Sequence, residues 1–171
     1  MTEHTVVVVM GVSGSGKTTV ASLLADRLGV PLAEADEFHP RANIDKMTSG
    51  VPLTDADREP WLAAIAGWIA DRAADGGGVV TCSALKGRYR DTLRAAAPDV
   101  WFLHLDGSPD LLAERIGHRS GHFMPPSLLA SQLADLEPLT PEERGIRLDV
   151  AHTPGELVEA ALAALRGGTR P

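Results

Sequence analysis

The stretch Gly11-Val-Ser-Gly-Ser-Gly16-Lys17-Thr18 satisfies G-x-x-x-x-G-K-[ST], and its flanks constrain the fold more than anything else in the chain. Before it, Val6 to Met10 is an unbroken apolar run, as expected of a strand buried on both faces of a parallel sheet. After it, Val20, Leu23, Leu24 and Leu28 recur at helical spacing, and Gly29 supplies the stop. A strand, a glycine-rich turn and a helix in that order gather backbone N–H groups and the positive end of a helix at one point. This predicts a nucleoside triphosphate site built from Gly11, Val12, Ser13, Gly14, Ser15, Gly16, Lys17, Thr18 and Thr19. Lys17 is expected to reach the β- and γ-phosphates, and Thr18 to ligate Mg²⁺.

The rest of the chain alternates between strand and helix. Strands are predicted at 31–35, 79–82, 100–105 and 146–150, which with the first makes five. One helix carries Trp61, Leu62, Ile65, Trp68 and Ile69, with Pro60 tolerable in its first turn. Asp75-Gly76-Gly77-Gly78 ends it. The Trp61/Trp68 stripe suits a core or an interface equally well. Further helices are expected over 88–97, 109–117, 127–137 and 154–166, leaving 167–171 as a frayed tail. The predicted fold class is therefore α/β, a five-stranded parallel sheet flanked by helices.

At 171 residues the chain is sized for one domain spanning 1–171. A net charge of −7 argues against nucleic acid or an anionic membrane as the main partner. Cys82 is the only cysteine, so no intrachain disulfide forms. The first residues lack the basic and apolar regions of a signal peptide, and no apolar run approaches the ~20 residues that span a bilayer. A cytoplasmic location is expected.

A phosphate cradle does not fix what is done with the phosphate. A GTPase switch needs N-K-x-D, which is absent, and an acidic D-x-x-G after a strand. The D-x-x-G at 75–78 precedes a strand instead and reads as a helix terminator. A kinase needs an acceptor pocket and a cover that excludes water. For the cover, the segment 115–126 is a candidate lid, with Arg115 and Arg119 as cations for the transferring phosphate. The acid supporting Mg²⁺ has two candidate positions at strand ends. They are Glu34 with Asp36, ranked first, and Asp106, which also suits a helix cap. For the pocket, residues 34–60 begin EADEFHPRANIDKM, rich in charged and polar groups with almost no apolar periodicity.

Four stretches together resemble the gluconate kinases: MGVSGSGKTT, DEFHPRANIDKMTSGVPLTDADREPWL, CSALKGRYRDTLR and HFMPPSLLASQLADLEPL. The resemblance extends over nearly the whole chain. It implies a P-loop kinase fold similar to shikimate and nucleoside monophosphate kinases, with a mobile lid. It implies ATP and Mg²⁺, phosphorylation of D-gluconate on its terminal hydroxyl to 6-phosphogluconate, and a homodimer. One departure is Glu34, where the family pattern carries aspartate.

Gluconate is an open-chain acid with five hydroxyls, so its site requires fixed donors and acceptors. On this reading Asp36 accepts the proton of the attacking hydroxyl. His39, Asn43 and His122 supply polar contacts, and Lys46 or Arg58 pairs with the carboxylate. Each has a local alternative. Arg58 can pair with Asp55, Lys46 can be solvated, His39-Pro40 can be a turn, and His122 can be a packing residue. Shikimate kinase is the runner-up, although Gly76 to Gly78 precede a strand where that family's glycine triplet follows one. A nucleoside monophosphate kinase fits less well, because 34–60 is too charged for a base pocket.

Overall fold

The computed structural model describes residues 5–12, 14–117 and 126–167. The expected strands form one parallel sheet in the order β2-β3-β1-β4-β5. They are β1 (Val6–Met10), β2 (Leu32–Glu34), β3 (Gly78–Thr81), β4 (Trp101–Asp106) and β5 (Gly145–Asp149). Central β1 lies between β3 and β4, with Val8 beside both Val80 and Phe102. That position explains a run without alternation. Val7 and Val9 face one core with Val20, Leu24 and Leu157, while Val6, Val8 and Met10 face the other with Trp61, Ile65 and Leu93. Both faces are dry, so both sets must be apolar.

The first core lies under α1 (Lys17–Leu28) and α7 (Pro154–Gly167), the second under α3 (Asp55–Ala74) and α4 (Gly87–Ala96). Helices α5 (Pro109–Gly117) and α6 (Pro126–Asp135) follow β4. Because every strand runs the same way, the loops leaving β1, β2 and β3 emerge at one edge of the sheet. That carboxyl edge is where ligands bind in open α/β sheets.

Several expectations need correction. Residues 34–47 form a 3-10 turn at Ala35–Phe38 and then α2 (Arg41–Thr48). This helix is invisible to periodicity because it turns Ile44 and Met47 outward, 42% and 37% exposed, and buries only Asn43. Helix α3 starts at Asp55, where the Thr54 hydroxyl and Asp57 carboxylate cap each other's backbone N–H groups. Pro60 therefore sits beyond the first turn, and its missing N–H leaves the Ala56 carbonyl without the usual helical donor. Leu23 is exposed, its place in the α1 stripe taken by Ala21 and Ala25. Trp61 is a core residue, 4% exposed, and Trp68 packs half-buried against the same core. Ser13, Arg119, His122, residues 118–125 of the expected lid at 115–126 and residues 168–171 of the expected tail at 167–171 lie outside the described residues.

Candidate active site

The cradle is shaped by glycines at positions no other residue fits. Gly11 has φ 147°, and a Cβ there would lie 2.5 Å from the Leu105 carbonyl oxygen. Gly16, at φ 89°, caps α1 with no side-chain hydrogen bond, so the first amides of that helix keep their donors for a ligand. Lys17 lays its ammonium across the rim, donating to the carbonyls of Gly11 at 2.9 Å and Val12 at 3.1 Å. The Ser15 hydroxyl is buried in this loop and has no hydrogen-bond partner among the described residues.

Strand β2 brings an acid against the cradle. Glu34 Oε2 accepts from the Thr18 hydroxyl at 3.1 Å and from the Thr81 hydroxyl at 3.0 Å. Its second oxygen, Oε1, is buried with no partner among the described residues. A hydroxyl beside a carboxylate with an unspent oxygen is the donor set Mg²⁺ takes, with water completing its octahedron. The residues fit that ion. Asp106 does not offer the same, because its Oδ1 accepts from the Gly107 amide at 2.9 Å and its Oδ2 pairs with Arg147 at 2.6 Å. Nor does it cap α5; the Ser108 hydroxyl does so, accepting from the Leu111 amide.

The 3-10 turn after β2 presents Asp36 to solvent. Trp61 anchors that turn, its indole N–H donating to the Ala35 carbonyl at 2.8 Å, and His39 stacks on the same indole at 4.4 Å. Burial holds the His39 pKa below its ordinary value, with Asp36 opposing and Arg58 adding to the shift. Neutral imidazole therefore offers a hydrogen bond and no charge. Buried Asn43 lies 3.3 Å from His39 Nδ1 and donates to the Asp57 carbonyl at 2.7 Å, fixing α2 against α3.

Neither basic residue of this segment takes the local alternative foreseen for it. Lys46 is not simply solvated: it donates to Asp57 Oδ2 at 2.7 Å, which with the Thr54 amide brings the Asp57 pKa down to about 2. Arg58 does not pair with Asp55. It donates to the Tyr89 hydroxyl at 2.9 Å and has no carboxylate partner among the described residues. Asp55 is held by Arg88 and by the Tyr89 hydroxyl, which donates to it, with Lys86 3.8 Å away. Arg115, at the end of α5, donates to the Val150 carbonyl.

The buried Cys82 thiol, just past β3, is pushed up to about 12 chiefly by burial, with the charges of Lys17, Asp36 and Arg58 as minor contributions. The cradle lies at the carboxyl end of β1, Glu34 and the turn of Asp36 at that of β2, and Cys82 at that of β3.

Sequence reasoning missed Thr81, Lys86, Tyr89, and the fully buried pair Arg90–Glu143. Within GRYRDTLR the spacing of Tyr89 and Leu93 marks the buried face, and Arg90 sits beside it on the same face. That offset is the available signal. Nothing local marks Glu143 as its partner.

Comparison with known proteins follows the same line. The AAA domain family matches residues 6–139. A gluconokinase of Gluconobacter oxydans is 49% identical over 168 residues, covering 93% of this chain and 94% of its own. A gluconokinase structure from Sinorhizobium meliloti superposes with TM-score 0.90 at 49% identity, covering 98% of this chain and 94% of that one. An unliganded sugar kinase structure from Janibacter sp. superposes with TM-score 0.89 at 55% identity, covering 94% and 93%.

Proposed function

The chain belongs to the gluconokinase family, and on that premise we propose that the groups around its cradle transfer the γ-phosphoryl of ATP to the terminal hydroxyl of D-gluconate. The enzyme is a kinase, an ATP:gluconate 6-phosphotransferase, and its products are 6-phosphogluconate and ADP. The observation that carries the residue assignments is the contact of Thr18 with Glu34, because it seats the acidic end of β2 directly on the cradle. No helix among the described residues is long and apolar enough to cross a membrane. The family resemblance supports a homodimer and a cytoplasmic location.

The loop residues Gly11 to Gly16 and the opening of α1 bind the phosphates through backbone N–H groups, with Thr19 in the same first turn. Lys17 neutralises charge on the β- and γ-phosphates. Thr18 and Glu34 hold Mg²⁺, which when bound screens phosphate charge. Arg115, at the α5 end, adds a cation for the transferring phosphate. Asp36 aims the attacking hydroxyl and takes its proton as the new O–P bond forms and the bond to the ADP oxygen breaks. His39 contributes a hydrogen bond to the polyol, and Arg58 pairs with the carboxylate. Lys46, already engaged with Asp57, supports this wall by joining α2 to α3.

The functional test is ADP release with Mg-ATP over a panel of acceptors. D-gluconate is expected to turn over fastest, well ahead of shikimate, glucose and AMP. Equal or faster turnover of shikimate or AMP would sink the assignment. The role of Asp36 has its own test. Because Asp36 is exposed and its side chain makes no hydrogen bond or ion pair among the described residues, Asp36→Asn should leave the fold and ATP affinity intact. It should lower kcat on the order of 10²-fold, the usual range for loss of a general base. Wild-type kcat in that variant would reassign the proton to another group, with Glu34 the next candidate.

A further inference from the structure

Beside Arg58, the cations Lys86 and Arg88 remain without a role. We propose that Lys86 and Arg88, gathered with Arg58 around Tyr89, form the subsite that binds the substrate's carboxylate, with Lys86 as its principal cation. The proposal rests on the reading of the substrate as gluconate and names the residues that make it select an acid.

Tyr89 is buried at 5% exposure, on the face of α4 that packs toward α3. Its ring is flanked by three cations: Arg58 at 5.4 Å from the centroid, Arg88 at 5.7 Å and Lys86 at 5.8 Å. Its hydroxyl accepts from Arg58 and donates to Asp55, so it sets the position of both. Asp55 is the one carboxylate bound to this group among the described residues, and three cations against one acid leave positive charge in surplus. Assembling like charges at a half-buried site is unfavourable unless an anion joins them.

The three are not equally committed. Arg88 is engaged with Asp55, and Arg58 has spent one guanidinium nitrogen on a phenol. Lys86 touches Asp55 only at 3.8 Å, although its side chain is just 22% exposed. A partly desolvated ammonium with a loose partner gains most from an arriving carboxylate. The location fits too. Lys86 sits on the loop leaving β3, at the same sheet edge as the cradle and the turn of Asp36. Arg58 lies on α3 one turn before Trp61, whose indole anchors the turn of Asp36 and stacks on His39, so α3 joins the two halves. A six-carbon acid with its terminal hydroxyl at Asp36 then directs its carboxylate to Arg58 and Lys86.

A merely structural cluster, tying α3 to α4, would affect stability and every kinetic constant together. The subsite predicts a split. Steady-state kinetics of Lys86→Met, Lys86→Arg and Arg88→Gln, with D-gluconate and ATP varied in turn, separate the two. Lys86→Met should raise the KM for gluconate by about ten- to a hundredfold, the range of a hydrogen bond to a charged group. The KM for ATP and kcat at saturating gluconate should stay near wild type. Lys86→Arg should recover most of the loss by keeping the charge, and Arg88→Gln should show a smaller rise. A gluconate KM within about twofold of wild type in both Lys86→Met and Arg88→Gln overturns the subsite. So does an equal rise in the two substrates' KM values. If the wild-type enzyme itself fails to phosphorylate gluconate, the underlying reading fails instead, and the two failures are told apart in one experiment.

Discussion

Replacing Lys17 with alanine is expected to remove roughly 3 kcal/mol or more of transition-state stabilisation, the scale of losing one preorganised electrostatic group. The ammonium needs no recruitment, because the carbonyls of Gly11 and Val12 already hold it at the rim of the cradle. Negative charge on the β–γ bridging oxygen grows as the phosphoryl leaves, so the contact with Lys17 is stronger in the transition state than in bound ATP. The loss should therefore fall on kcat as well as on kcat/KM. The fold should not suffer. Lys17 lies in the first turn of α1, half-exposed, where alanine is a good helix former. Circular dichroism and Tm should match wild type while single-turnover rates collapse. Near-wild-type kcat/KM would remove Lys17 from the mechanism.

The cradle was legible because three signals of different physical origin coincide at Gly11 to Thr18: a doubly buried strand, glycines needed for positive φ, and a helix start. The strand positions were legible for a related reason, since a parallel strand covered on both faces has no polar option. Their order was not. Each run reads alike, and nothing in Val79 and Val80 says that they lie between β1 and β2. Helix α2 escaped notice because its only buried side chain is polar Asn43, held by Asp57 rather than by packing. The same limit governs the charged residues. Lys46 and Arg58 looked equally available in sequence, and what separates them is tertiary. Close packing of α2 on α3 delivers Asp57 to Lys46, whereas α4 meets Arg58 with a phenol and no acid.

The residue pair least legible in sequence carries the largest expected effect on stability. Arg90 and Glu143 lie 53 positions apart, yet they meet at 2.6 Å with side chains 1% and 2% exposed. Removing one partner of such a pair leaves a buried charge uncompensated, which costs about 3–5 kcal/mol. Arg90→Met should therefore unfold about 10 °C below wild type, given the usual few degrees per kcal/mol for a chain of this size. The site should feel it as well. Arg90 donates to the carbonyls of Ala84 at 2.8 Å, Leu85 at 3.3 Å and Pro138 at 3.2 Å, and Ala84 has φ 45°. A non-glycine residue in that region needs support from its surroundings, and the loop it belongs to carries Lys86. Acid provides a second, independent check. Burial raises the Glu143 pKa, but hydrogen bonds from Arg90 and the Thr140 amide outweigh it, leaving the folded value below the ordinary 4.5. A depressed folded pKa means the stabilisation is complete above the ordinary value and disappears as the pH falls through the folded one. The stability gap between wild type and Glu143→Gln should accordingly be widest near neutrality and narrow progressively below about pH 4.5. Chemical denaturation across that range measures it, and a gap that is absent at pH 7, or that stays constant into acid, would show that the pair does not hold the fold.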